Sequence, residues 1–200
     1  MKKALIIFVR KPELGKVKTR LAAAVGNEKA LAIYKELLQH TFTIASQVKA
    51  DKFVFYHEEI VQHDMWNATG FHKKLQASAG LGHKMKAAFQ ELFNSGYTDV
   101  LIVGSDCLEL SSQIIEGAFK MLELNDTVIG PAKDGGYYLL GMCTMHQFIF
   151  ENKAWSTSSV FDQTMADLQQ HQLTVGLLPQ LTDVDTAEDW LQSKSMHHDL

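Results

Sequence analysis

The chain has 200 residues, 46% of them hydrophobic and 21% charged, with a formal net charge of −4. That length suits one domain able to bury about 70% of its unfolded surface. The composition excludes a disordered chain, and the acidic balance argues against a general nucleic-acid binder.

The longest apolar runs, such as residues 4–9, fall far short of the roughly 20 residues of a membrane span. Met1-Lys2-Lys3 ahead of that run has the charge order of a signal peptide. Arg10 and Lys11 end the run, however, and no small-residue cleavage site follows. It therefore reads as a buried strand covered on both faces. Two cysteines, Cys107 and Cys143, make no disulfide framework. The expectation is a soluble, cytoplasmic protein with neither nucleic-acid nor membrane partner.

Strand and helix patterns then alternate. After the first strand, Asn27 is placed to cap a helix whose apolar face is Leu31, Tyr34, Leu38, Phe42 and Ala45. Residues 53–56 read as a second strand and 74–77 as a weaker third. Gly80-Leu81-Gly82 leads into a helix with Met85, Ala88, Phe89 and Leu92 on one side, ended by Gly96. Residues 100–103 form a fourth strand, and Ser111 opens the next helix. Short strands follow at 127–129 and 137–140. A helix spans 158–170, a strand 174–178, and a short helix 186–193, so the domain is expected over 1–193 with a tail at 194–200.

This alternation implies an α/β sandwich with a mostly parallel sheet. Residues 127–129 and 137–140 are too close in sequence for a crossover helix, so one of these strands is antiparallel and the sheet is mixed. Ligands of open α/β sheets bind beyond the carboxyl ends of the strands. That rule selects four segments: 10–20, 104–110, 130–136 and 182–185.

The first, RKPELGKVKTRL, holds the cations Arg10, Lys11, Lys16, Lys18 and Arg20 around Gly15. Like charges crowded at one strand end repel unless an anion neutralises them. Arginine forks and lysine point charges suit a polyphosphate. The bland alternative is a solvated loop. Neither the P-loop spacing nor a G-x-G-x-x-G fingerprint is present.

In the second segment, Gly104-Ser105-Asp106-Cys107, a carboxylate stands at a central strand end, where Mg²⁺ typically takes one or two carboxylates plus substrate phosphates. Asp106 could equally be a turn or capping residue. Asp183-Val184-Asp185 adds two carboxylates that share one face if the segment is extended, although Asp185 could simply cap the helix after it. Cys107 reads as a small buried thiol rather than a nucleophile. In the third segment, Asp134-Gly135-Gly136 permits left-handed backbone and close approach to a ligand, or a tight hairpin.

Taken in order, RKPELGKVKTRLA, LGHKMKAAF, GSDCLEL, GPAKDGGYYLLG, WSTSSV and LTDVDTAEDW resemble the small glycosyltransferase-like family often called radical-SAM/selenium-domain-associated transferase type 1. The resemblance covers roughly residues 4–190. It implies a single-domain, Rossmann-like, three-layer nucleotide-diphospho-sugar transferase domain of the A-type glycosyltransferase fold. More distantly the chain looks like the guanylyltransferases of molybdenum-cofactor and phospholactate metabolism.

The resemblance implies a transferase in which Asp106 and either Asp183 or Asp185 hold Mg²⁺ or Mn²⁺ on nucleotide phosphates, with Asp106 and Asp185 as the catalytic pair. Lys18 and Arg20 match the phosphate-gripping loop. Arg10, Lys11, Gly15, Lys16, Gly82, Gly104 and Ser105 complete the expected nucleotide site, and Asp134, Gly135, Gly136, Tyr137 and Trp155 the substrate side. Leu108 stands where that family usually has proline, and Arg10 where it often has alanine. The expected reaction is glycosyl transfer from a nucleoside diphosphate sugar. The alternatives are nucleotidyl transfer to a phosphorylated substrate and, in another class, non-catalytic nucleotide binding.

Overall fold

The computed structural model describes residues 2–197, without the side chains of residues 196 and 197. Among these residues seven strands form one sheet: β1 (Lys3–Val9), β2 (Asp51–Tyr56), β3 (Phe71–Leu75), β4 (Asp99–Val103), β5 (Thr127–Pro131), β6 (Tyr137–Met142) and β7 (Val175–Leu177). The helices are α1 (Thr19–Val25), α2 (Asn27–Gln47), α3 (Leu81–Asn94), α4 (Ser112–Met121), α5 (Val160–Gln170) and α6 (Ala187–His197). No helix among the described residues is long and apolar enough to cross a membrane.

The strand order is β3-β2-β1-β4-β6-β5-β7. β6 runs antiparallel to both β4 and β5, and the other pairs are parallel. This is the mixed sheet expected from the short spacing between residues 129 and 137. The chain leaves β1 toward β2 on one side and returns to β4 on the other. Such a reversal opens a crevice at the carboxyl ends of β1 and β4.

Alternate residues of β1 feed the two faces. Leu5, Ile7 and Val9 pack with Tyr34 and Leu38 of α2 and Phe119 of α4. Ala4 and Ile6 pack with Met85, Phe89 and Leu92 of α3 and Leu168 of α5. Both sides of the strand are thereby sealed, which is why its sequence is apolar without alternation.

Several boundaries differ from the sequence reading. Residues 10–20 are not all loop, because α1 begins at Thr19. Its helical face was hidden because it begins inside the cation-rich motif and α1 itself buries only Leu21. Asn27 is the first residue of α2, not its cap; Gly26 takes the cap position at φ 85°. β3 lies three residues earlier than expected and is only half-buried, so its pattern is weak. The last helix runs through His197, past residue 193, and Lys194 pairs with Glu36 of α2. Residues 198–200 of the expected tail lie outside the described residues. Ser111 does cap α4, accepting a hydrogen bond from the Ile114 amide at 3.2 Å.

Candidate active site

A cleft of about 640 Å³ opens at the carboxyl ends of β1 to β4. The loop after β1 is anchored by Tyr34, whose hydroxyl accepts from the Arg10 amide at 2.9 Å and donates to the Arg10 carbonyl at 3.1 Å. Gly15 turns at φ 75°. Lys18 then takes φ 47° and ψ 48°, in the left-handed region. That conformation costs a non-glycine residue about 1–2 kcal/mol. It carries the side chain inward, so that only 8% of it stays exposed.

The Lys18 ammonium lies 3.0 Å from Asp106 Oδ2 and 3.0 Å from Asp185 Oδ1. Burial works against its charge. The carboxylates of Asp106 and Asp185 more than offset that, holding Lys18 above the ordinary lysine range. Arg20 approaches Asp185 Oδ2 at 3.5 Å from the solvent side.

Backbone contacts bring these carboxylates together across the sequence. The Val184 amide donates to the Asp106 carbonyl at 2.8 Å, tying the segment before α6 to the loop after β4. Asp189 reaches back to accept from the Thr186 amide at 2.7 Å and the Asp185 amide at 3.1 Å. Asp189, not Asp185, therefore satisfies the start of α6, and the Asp185 carboxylate is free to face the cleft. At Gly104 a side chain is impossible without displacement, because an added Cβ would stand 2.6 Å from Asp106 Oδ1.

Asp183 is placed differently. Its Oδ1 is sealed from solvent without a hydrogen-bond partner. Burial first, then the charges of Asp106 and Asp134, push its carboxyl well above the ordinary range. It is not among the residues that line the cleft. Cys107 is buried, and desolvation raises its thiol. Leu108, in the place of the expected proline, is a core residue among Leu21, Ile33, Leu37 and Val184.

The other expected site residues divide. Arg10, Lys16, Lys18, Arg20, Gly104, Ser105, Asp106 and Asp185 line the cleft. Lys11 does not; it pairs with Glu13 at 2.9 Å and with Glu59. Lys16 also pairs with Glu13, at 2.7 Å. The cation-rich loop is thus partly neutralised from within, and the repulsion inferred from sequence is smaller than it looked.

Asp134, Gly135, Gly136, Tyr137 and Trp155 do not line the cleft either. Gly135 has φ 88°, and an added Cβ would lie 2.0 Å from the Ser158 carbonyl. The Phe161 amide donates to the Gly135 carbonyl at 2.9 Å. The close backbone approach at this glycine is therefore made to the chain's own 156–161 segment. Gly82 is similar: a Cβ there would meet the Trp155 indole at 2.2 Å. That Trp packs edge-on against Tyr137, centroids 6.4 Å apart. Ser156, next to Trp155, does reach the cleft.

Among the cleft residues, Tyr34, His57, Gln76 and Lys84 were not expected at the site from the sequence. The rule that ligands gather at strand ends could have found His57 and Gln76, which follow β2 and β3 directly. Among the described residues no group of three or more His, Cys, Asp or Glu is arranged to hold a metal ion. Asp106 and Asp185 nevertheless aim oxygens at one point, filled by the Lys18 ammonium. Two carboxylates without a soft ligand suit a hard cation that takes its remaining oxygens from substrate.

Residues 37–157 match the family described as "Uncharacterized protein conserved in bacteria (DUF2064)". A comparison with curated proteins finds no match. Among solved structures, a Desulfovibrio desulfuricans G20 protein provisionally designated a nucleotide-diphospho-sugar transferase is 33% identical. The match covers 93% of this chain and 84% of that one, with a TM-score of 0.87. The 4-diphosphocytidyl-2C-methyl-D-erythritol synthase of Anaerococcus prevotii DSM 20548 shares the fold at 12% identity, covering 98% and 96%, with a TM-score of 0.64. Rv0371c of Mycobacterium tuberculosis H37Rv, solved with manganese, does so at 10% identity, covering 96% and 98%, with a TM-score of 0.56. The chain belongs to the DUF2064 family and carries the Rossmann-like fold of nucleotide-diphospho-sugar transferases and cytidylyltransferases.

Proposed function

We propose that the protein is a metal-dependent transferase that takes a glycosyl group from a nucleoside diphosphate sugar. The observation that carries this reading is the convergence of Asp106 and Asp185 on one buried ammonium, in a cleft also lined by Arg10, Lys16 and Arg20. A site of opposed carboxylates and exposed cations suits a metal-bound diphosphate better than either charge alone would. The 33% identical relative, by its designation, points to sugar nucleotides.

Asp106 and Asp185 would hold Mg²⁺ or Mn²⁺, and Asp183, whose carboxyl burial pushes above the ordinary range, would not. A divalent cation there supplies positive charge to a departing diphosphate, the requirement shared by glycosyl and nucleotidyl transfer. The chain's own residues do the rest. Arg20, largely exposed, is free to fold onto phosphate oxygens. Lys18 holds the two carboxylates in register before substrate arrives. Ser105, largely buried beside Asp106, would add a hydroxyl to the phosphate side of the cleft.

Nucleotidyl transfer would use the same residues, and the cytidylyltransferase neighbours favour it as a second reading. Product analysis separates the two. Incubation with sugar nucleotides, Mn²⁺ and a set of hydroxyl acceptors, water included, should release nucleoside diphosphate as the acceptor oxygen bonds to the anomeric carbon. Release of pyrophosphate from a nucleoside triphosphate and a sugar phosphate would favour the second reading. Nucleotide binding with neither product would make the protein a binder, not an enzyme.

A further inference from the structure

Asp185 stands next to the first residues of α6, where a helix leaves amides without partners inside the helix. Aspartate is a preferred partner for such amides. A carboxylate that turns back onto them cannot also face the cleft. Something must therefore decide between the two positions of the Asp185 side chain.

We propose that Asp189 is the positioning residue for Asp185: by occupying the polar groups at the start of α6 itself, it keeps the Asp185 carboxylate out of the helix cap and turned into the cleft as a metal ligand. This deepens the metal-site reading above and rests on it for the role of Asp185, while the placement of Asp185 is testable without metal.

A single oxygen, Asp189 Oδ2, accepts from the Thr186 amide at 2.7 Å, the Thr186 hydroxyl at 2.8 Å and the Asp185 amide at 3.1 Å. The Asp189 amide donates in return to Thr186 Oγ1 at 3.2 Å, which closes a reciprocal capping box. Asp189 does not line the cleft, so it acts on the site only through its neighbours. Asp185, freed from its own amide, directs both oxygens to cleft cations. Oδ1 meets Lys18 at 3.0 Å and Oδ2 approaches Arg20 at 3.5 Å.

The main chain alone does not enforce this. The Val184 amide, bonded to the Asp106 carbonyl at 2.8 Å, fixes the backbone beside Asp106. A fixed backbone still leaves an aspartate several staggered rotamers. Aspartate side chains readily bond their own amide or the amide two residues on. Without Asp189, the Asp185 and Thr186 amides and the Thr186 hydroxyl lose their acceptor, and Asp185 is the carboxylate beside them in sequence. Its withdrawal onto the helix start would leave Lys18 with Asp106 alone.

The first measurement needs no metal. Denaturant melts of wild type, Lys18→Met, Asp185→Asn and the double variant give the Lys18–Asp185 coupling as a ratio of unfolding constants. The cycle is repeated in Asp189→Ala, Asp189→Glu and Glu188→Ala. The expected coupling is at least about fivefold in wild type and within about twofold of one in Asp189→Ala. It should be retained in Asp189→Glu, which still closes a capping box. It should also be retained in Glu188→Ala, which removes a charge from the same turn of α6 but none of the bonds of the box. Loss of a cap alone lowers stability and leaves the coupling as it was. A coupling that persists in Asp189→Ala, no coupling in wild type, or an Asp189→Ala chain that fails to fold would each overturn the proposal. The second measurement is calorimetry of UDP and GDP with and without Mn²⁺. The Mn²⁺ gain of wild type should be lost in Asp189→Ala and return in Asp189→Glu, and a full gain in Asp189→Ala overturns the proposal. No Mn²⁺ effect in wild type contradicts the metal-site reading instead, and the metal-free coupling then decides the placement of Asp185 by itself.

Discussion

Lys18 and Asp106 are 88 residues apart in sequence, and their side chains meet at 3.0 Å inside the cleft. Lys18 reaches that contact from a left-handed backbone, and its ammonium is shared with Asp185. A cation of the chain itself therefore occupies the point at which the two carboxylates converge.

A divalent ion entering between Asp106 and Asp185 must displace that ammonium. Lys18→Met removes the competitor and leaves two facing carboxylates. Mn²⁺ affinity of the nucleotide-free variant should rise by about tenfold or more over wild type, a change of roughly 1.4 kcal/mol. The variant should also be less thermostable without metal and recover when Mn²⁺ is added. Unchanged Mn²⁺ affinity, measured by electron paramagnetic resonance, would mean that the ammonium does not guard the metal position.

Arg20 has the opposite profile. Its side chain is 74% exposed and has one approach, to Asp185 at 3.5 Å. Exposed pairs contribute little to stability. Arg20→Ala should leave the melting temperature unchanged and weaken nucleoside diphosphate binding at least about tenfold, the loss of a charge-assisted hydrogen bond. Calorimetry on the folded variant showing full affinity would remove Arg20 from the phosphate site.

The Asp134-Gly135-Gly136 turn separates structural from ligand-driven constraint. Gly135 is left-handed and meets the Ser158 backbone, whereas Gly136 faces only the Asp134 carboxylate at 3.2 Å. Gly135→Val should cost more than about 2 kcal/mol, from backbone strain and displaced chain together. Gly136→Ala should be mild by comparison. Denaturant melts of the two variants compare them directly; equal stabilities would contradict the assignment of the strain to Gly135.

Much of the sheet was legible because strands sealed on both faces, such as β1 and β4, are written as continuous apolar runs. The antiparallel β6 followed from a loop too short for a crossover. β3 was misplaced because its residues are only half-buried, and α1 was hidden because its first turn continues a run of cations.

Within the site, Asp106, Asp185, Lys18 and Arg20 were readable as charges at strand ends. Their pairing was not, since it depends on the Val184 amide crossing to the Asp106 carbonyl and on Asp189 capping α6. The paired glycines at 135 and 136 suggested a ligand-facing loop and the family resemblance added Trp155, but the close contacts of Gly135 and Trp155 are internal. His57, Gln76 and Lys84 come from three separate elements with no shared motif, so only the tertiary fold groups them.

The central claim is that Asp106 and Asp185 jointly hold a divalent cation on a nucleotide's phosphates. The most direct measurement is nucleoside diphosphate affinity with and without Mn²⁺, in wild type and in Asp106→Asn, Asp185→Asn and Asp183→Asn. The account predicts that Mn²⁺ tightens wild-type binding at least about tenfold. It predicts that Asp106→Asn and Asp185→Asn each abolish the gain while staying folded, and that Asp183→Asn keeps it. A wild-type affinity indifferent to Mn²⁺, or a full Mn²⁺ effect in Asp106→Asn, would contradict it.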